Sequence, residues 1–242
     1  MALPKIQHKL YEHHLTGMKK KIKYRAFTVA EQKILLMTKE ETADVDRNKA
    51  GHNQEVIAAV SQIINNCTLG KIDPEDLCTF DLEDLFIRLR AKSVGEVFNV
   101  KYSEDYTDED GRPQTNFINI CINLDDVKVI TNPENNNIIK VSDDIGVVMR
   151  FPTFKMLAEC KNSDELAMAC IESIFDGGEM YEASVTPRAE LEEFFDSIET
   201  IPMQEIKKFF DTMPKLKHEV EITLHDGSKE QIVFEGLESF FK

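Results

Sequence analysis

The sequence predicts an α+β protein in which helical groups flank a small antiparallel β-sheet insert, with a β-hairpin near each end. Three observations predict it. Apolar residues recur at helical spacing before residue 96 and again after residue 152. Between those limits the period falls to two, and the breaks are acidic or asparagine-rich. Near each end a glycine-containing turn separates two short runs of strand character. We expect a single α+β domain over residues 1–242, with an antiparallel β subdomain at 97–150 inside it.

Leu10–Leu15 and Lys21–Tyr24 make the first hairpin, around Thr16-Gly17, where glycine can supply a positive φ. Thr28 with Glu31 three residues later forms a capping box, and Ile34, Leu35 and Leu36 continue the helix it opens. The polar stretch Glu40–Asn53 reads as a loop or a helix extension. A second helix, about Gln54–Asn66, puts Val56, Ile57, Val60, Ile63 and Ile64 on one face. Asp73–Asp76 opens a turn or a short helix. The best-patterned helix follows, with Leu82, Leu85, Phe86 and Leu89 at i, i+3, i+4, i+7. Asp81 is its expected cap, Arg88, Arg90 and Lys92 favour its C-terminal end, and Gly95 marks the exit.

Val97–Tyr102, Phe117–Leu124, Lys128–Thr131 and Ile138–Val141 read as strands. Asn162 with Glu165 makes a second capping box, opening a helix to about Phe175 that Asp176-Gly177-Gly178 stops. Thr186-Pro187 is a cap followed by proline in the first turn, and Leu191, Phe194, Phe195 and Ile198 form the stripe of the helix beyond it. A shorter helix is expected from Pro202 to Phe210. Glu219–Leu224 and Gln231–Glu235 close the chain as a hairpin around Asp226-Gly227, before a short apolar tail, Leu237–Phe241.

Hydrophobic residues make up 42% of the chain, ample for a core. No apolar run approaches the ~20 residues needed to span a bilayer, and Met1–Leu15 lacks a secretory apolar segment. We therefore expect a soluble protein that stays where it is made, with no membrane partner. The cysteines, Cys67, Cys78, Cys121, Cys160 and Cys170, are odd in number and never two residues apart. Reduced, mostly buried thiols are expected, not a disulfide framework or a zinc ribbon.

The net charge of −15 is unevenly spread: residues 1–33 carry eight Lys/Arg against two Asp/Glu. An acidic body repels phosphate backbones, which disfavours nucleic acid as a partner. The basic end, with Lys19, Lys20, Lys21 and Lys23, is a candidate to dock on an acidic neighbour, a second copy of the chain among them. The same lysines would also serve simply to keep an edge strand soluble.

No pattern for chemistry emerges. The run Asp105–Gly111 fails the register of a calcium loop, since placing Gly111 at its glycine position puts Phe117 where the loop needs Glu. His13-His14 would point to opposite faces of a strand, and no His-Glu-x-x-His helix occurs. Acidic clusters such as Asp81, Glu83, Asp84 and Glu190, Glu192, Glu193 fall near helix starts, where the macrodipole stabilises them. Neither a phosphate-binding glycine loop nor a Gly-x-Ser-x-Gly elbow is present. We expect no catalytic residue, no metal site and no cofactor. Three aromatic pairs, Phe194-Phe195, Phe209-Phe210 and Phe240-Phe241, place neighbouring rings about 100° apart on a helix. Both rings buried would mean core packing. One exposed ring from each, with Phe195, Phe210 and Phe241 as candidates, would make an apolar contact surface.

Three stretches, Lys21–Met37, Thr79–Val97 and Ser142–Leu157, carry a family likeness over roughly residues 20–200. The clearest phrases are the YR-x-F-x-V-x-E-x-K-x-L-L run at Tyr24–Leu36 and RAKSVGEV at Arg90–Val97. In these the chain resembles the baseplate hub family of contractile-tailed, T-even-type bacteriophages. The resemblance implies a non-enzymatic hub subunit that works in the host cytoplasm during tail assembly and ends in the virion baseplate. Its alternative is a non-virion assembly chaperone for the hub or for the tape measure protein. The implied partners are other hub proteins and the tape measure protein, and a homo-oligomer is open. A distant alternative is a hydrolase whose carboxylates meet only in the fold. The matched residues carry scaffold roles: Tyr24, Phe27 and Glu31 at the start of the first helix, Arg90, Lys92, Ser93 and Gly95 at the helix-to-sheet exit, and Gly146 and Pro152 at the return.

Overall fold

The computed structural model describes residue 4 and residues 6–43 and 50–240. In chain order the elements begin with β1 (Leu10–Leu15), β2 (Lys20–Arg25), α1 (Val29–Ala43), α2 (Ala50–Cys67) and α3 (Thr79–Val94). Then come β3 (Val97–Thr107), β4 (Pro113–Asn123), β5 (Lys128–Ile130), β6 (Ile138–Lys140) and β7 (Ile145–Met149). Helices α4 (Phe154–Glu159) and α5 (Ser163–Ala169) precede β8 (Ile171–Asp176) and β9 (Glu179–Glu182). Last are α6 (Arg188–Asp196), α7 (Thr200–Asp211), β10 (Lys215–Thr223) and β11 (Lys229–Glu235). All strand pairings are antiparallel, so the α+β class with a hairpin near each end is what the chain forms.

The chain divides into two compact units: one from residues 1–72, 80–130 and 215–242, the other from 73–79 and 131–214. The strands expected between 97 and 150 are accordingly spread over three sheets. Among the described residues β3 and β4 pair only with each other, β5 joins β10 and β11, and β6 and β7 lead the sheet β6-β7-β8-β9.

In the first unit, α3 is the spine. Its expected stripe of Leu82, Leu85, Phe86 and Leu89 is buried, and so are Phe80, Ile87 and Ala91 on its other sides. A helix buried nearly all round must also bury its polar residues, and Asp81, Asp84 and Arg88 are inside. Asp81 is therefore not the cap that its position suggested: the helix starts earlier, at Thr79. β3 alternates throughout and β4, β10 and β11 alternate over most of their length, as half-buried strands do. They enclose a core of Phe98, Ile120, Ile122, Leu124, Leu216 and Phe234 with Ile87 of α3. The predicted Asp226-Gly227 turn closes β10–β11, with Gly227 at φ 82° and Asp226 Oδ1 accepting the Ser228 N–H at 2.8 Å. Val60, Ile63 and Ile64 of α2 are buried as its periodicity required. The side chains of Val56 and Ile57, and part of the Glu40–Asn53 stretch, lie outside the described residues.

In the second unit the sheet β6-β7-β8-β9 is a meander, and α5, α6 and α7 supply Ala167, Met168, Leu191, Phe195, Ile206 and Phe209 to its core. Gly146 is needed in β7 because a Cβ there would meet the Phe175 ring and come within 2.7 Å of the Ile139 carbonyl. The Asn162 cap forms as expected, accepting the Glu165 N–H at 2.8 Å, but the helix it opens stops at Ala169 rather than near Phe175. Ile171 and Ile174 are β-branched and pair with β7, and Gly177-Gly178 turns β8 back into β9 instead of ending a helix. Thr186 does not cap α6 either: its hydroxyl donates to the Glu182 carbonyl, and Pro187 takes the N-cap position. Helix α7 begins two residues earlier than read, with Pro202 in its first turn, where a missing N–H costs nothing.

Candidate functional site

The basic N-terminal hairpin is the charged feature with the most deliberate support. Its inner face buries Leu15, Ile22 and Tyr24. Lys19, Lys20, Lys21 and Lys23 are all exposed, at the turn and along β2. Lys23 makes a surface ion pair with Glu12 at 3.2 Å, which at that exposure contributes little.

Two buried carboxylates of α3 hold this hairpin. Asp81 accepts the N–H groups of Gly17 and Met18 at 2.9 Å each, so it caps the turn of the hairpin and not its own helix. Burial pushes the Asp81 carboxyl up, and the two N–H bonds pull against that shift. A Cβ on Gly17 would stand 2.8 Å from Asp81 Oδ2, which explains the glycine. One turn along α3, Asp84 Oδ2 lies 2.6 Å from His13 Nε2 of β1. Its other oxygen accepts from Arg88 Nε at 3.1 Å. Arg88 Nη1 donates to the Leu124 carbonyl at 2.8 Å and Nη2 donates to the Val127 carbonyl. The guanidinium fork thus joins helix α3 to the loop after β4 while neutralising Asp84.

At the far end of β2, Arg25 Nη2 donates to Glu31 Oε1 at 2.9 Å, and Thr28 N–H donates to Glu31 Oε2 at 2.7 Å. The capping box therefore forms, reinforced by an ion pair. Burial alone would raise the Glu31 carboxyl, but the bonds from Arg25 and Thr28 outweigh it and hold the group at about 2. Phe27 N–H donates to Ser93 Oγ at 2.7 Å, and Lys92 Nζ bridges Glu96 at 2.5 Å and Asp125 at 3.2 Å. The two phrases that carry the family likeness are thus joined to each other in space. Over residues 8–242 the chain matches the family model described as T4 bacteriophage base plate protein. The chain belongs to that family.

Neither a curated protein nor a solved structure matches this baseplate protein. Membership makes it a structural component of a phage baseplate, with other baseplate proteins as its neighbours and the virion tail baseplate as its place. No helix among the described residues is long and apolar enough to cross a membrane.

Each aromatic pair of the baseplate protein sends one ring into a core: Phe195, Phe209 and Phe240 are buried. Phe195 is only 8% exposed and belongs to the core of the second unit, so it is not the contact residue that its position suggested. Phe210 is half-buried, edge-on to buried Phe209. Phe240 is fully buried, and Phe241 lies outside the described residues. Among the exposed large apolar groups of the second unit, Met180 at 68%, Tyr181 at 47% and Val185 at 78% cluster on and just after β9, apart from Ile138, Leu157 and Ile201. Reading Gly177-Gly178 as a helix stop hid that strand. The signal that could have found it is the pair of glycines, a hairpin turn, between Ile171–Phe175 and Met180-Tyr181.

His13 and His14 do point to opposite faces, the first half-buried against Asp84 and the second exposed. Asp108 of the Asp105–Gly111 run accepts N–H bonds from Asp110 and Arg112, as a hairpin turn does. No group of three or more His, Cys, Asp or Glu among the described residues is placed to hold a metal ion. All five cysteines are free thiols; burial pushes Cys67 and Cys170 up to about 12, while Cys121 is exposed. An open groove between β6 and α7 has Glu134 and Glu205 on its lining, with Lys140 and Lys208. Both carboxylates are solvent-exposed, and neither has the desolvated surroundings that make a general acid.

Proposed function

We propose that this baseplate protein is a subunit of the central hub that remains in the mature virion. It assembles in the host cytoplasm, against other hub proteins and the tape measure protein. The observation that supports this reading is the rigid presentation of its lysines. Two buried carboxylates, Asp81 and Asp84, fix the hairpin, while Lys19, Lys20, Lys21 and Lys23 stay in solvent. A pre-ordered basic edge on an acidic chain loses little entropy on docking and steers an acidic partner from a distance.

Replacing the four lysines with Gln is expected to slow docking onto tail-assembly intermediates by about tenfold or more at low salt, and by much less at high salt. Surface plasmon resonance on purified intermediates measures this. Equal on-rates for the variant and the parent across the salt range would remove the lysines from the docking role.

The hub assignment itself is tested by quantitative mass spectrometry of gradient-purified phage particles beside assembly intermediates from the same lysate. A fixed copy number in particles is the expected result. Presence in intermediates alone would make the protein an assembly factor that leaves, and absence from both would end the hub reading.

A further inference from the structure

The outer edge of β9 has no strand partner among the described residues. Ala183 N–H donates to the Glu172 carbonyl, and in an antiparallel ladder bonding alternates along the strand. With the register Ile174↔Tyr181 and Phe175↔Met180, it is therefore Met180 and Glu182 whose backbone groups face away from β8. Strand edges in soluble proteins are ordinarily blunted by lysine, proline or a covering loop. This one carries Glu179, Met180, Tyr181 and Glu182, all four exposed, and Val185 just beyond is exposed as well. The chain around it is one-sided in charge: residues 172–199 hold nine Asp or Glu, every one exposed, against the single Arg188, which is itself paired to Glu192 at 2.7 Å.

An open edge with an apolar centre and an anionic border fits a strand that is basic and carries apolar surface. The same chain contains one. β2 reads Lys20-Lys21-Ile22-Lys23-Tyr24-Arg25, its lysines are exposed, and Met18 at the turn and Leu10 opposite Arg25 add exposed apolar surface to that hairpin. We propose that the β1–β2 hairpin of one copy docks along the β9 edge of a second copy, with the exposed lysines of the hairpin against the carboxylates that border that edge, Glu179 on one face of β9 and Glu182 on the other. The contact joins two different patches, so each copy keeps one donor and one acceptor. Such a contact lets copies associate as a reciprocal pair, a ring or an open string. The inference rests on reading the hairpin as a docking element and names its acceptor.

Sedimentation velocity on the purified full-length chain tests it. The parent protein is expected to associate as concentration rises in low salt, with an association constant at least about tenfold weaker at ~0.5 M salt. A donor variant (Lys19, Lys20, Lys21 and Lys23 to Gln) and an acceptor variant (Glu179→Lys with Glu182→Lys) should each remain monomeric alone. Mixed in equal amounts they retain one intact contact, and should form a one-to-one pair and nothing larger. A parent that stays monomeric throughout, self-association that survives both variants, or a mixture that does not pair would each overturn the proposal. Amide exchange on the parent protein provides a readout independent of variant folding: concentrating it should slow exchange at Met180 and Glu182, and unchanged exchange there would overturn the proposal too. Failure here with a fixed copy number in particles removes self-docking and leaves the hub assignment standing. Self-docking by a protein absent from particles does the reverse.

Discussion

Arg88→Ala is expected to lower the unfolding free energy by about 3–5 kcal/mol, the cost typical of breaking a buried, hydrogen-bonded ion pair from one side. The substitution leaves Asp84 buried without its cation, and strips the Leu124 and Val127 carbonyls of their donors. Each such orphaned group costs about 1–3 kcal/mol by itself. Urea denaturation of the full chain, followed by far-UV circular dichroism, measures the loss. A loss below about 1 kcal/mol would show that the network is ornamental to stability. The double variant Arg88→Ala with Asp84→Ala should lose less than the sum of the two single variants, because removing both charges leaves neither stranded. Lysine in place of Arg88 should not rescue the protein, since an ammonium cannot span Asp84 and two carbonyls from one planar fork.

The second large effect is a pH dependence centred on Glu31. Its carboxyl is held at about 2 in the folded chain against an ordinary value of 4.5. A depressed acid of this kind stabilises the fold fully above its unfolded value, and that contribution is lost as pH falls through 4.5 toward about 2. The span corresponds to about 3 kcal/mol. Glu31→Gln should therefore be less stable than the parent by roughly that amount at pH 7, with the difference closing as pH approaches about 2. Thermal melts of the two proteins across this range decide it. A gap that stayed constant with pH would mean that Glu31 acts through shape and not through charge. Opposing Arg25 should matter by the same route, because it donates two of the bonds that hold Glu31 ionised.

Much of the fold was legible in the sequence because its signals are local. A capping box needs two side chains three residues apart, and both the Thr28–Glu31 and Asn162–Glu165 pairs formed. The Asp226-Gly227 hairpin turn and the α3 stripe are likewise written in adjacent residues. What failed depended on distance along the chain. Asp81 looked like a cap because a carboxylate at a helix start usually is one, but its partners, Gly17 and Met18, lie more than sixty residues upstream. The helix expected to reach Phe175 ended early because β7 offered Ile171 and Ile174 a ladder, a competitor no helical wheel contains. The lysines of the candidate site could be named from sequence, since exposed charge needs no partner. The acceptor edge could not, since its strand was hidden inside that misread helix stop. Phe195 shows the opposite limit: two adjacent rings on a helix announce two directions, and only the packing says which of them leads inward.

The first unit is completed by the last stretch of chain, 215–242, long after its first two stretches have been made. On a ribosome, β5 then waits for β10 and β11 while the whole of 131–214 is synthesised, a delay of roughly 4–17 s at elongation rates of about 5–20 residues per second. Throughout that interval Phe98, Ile120 and Ile122 lack the cover of Leu216, Ile222 and Phe234. A chain interrupted before Lys215 can thus finish its second unit and still present raw apolar surface on the first. Vectorial synthesis thus leaves this core uncovered until β10 and β11 arrive.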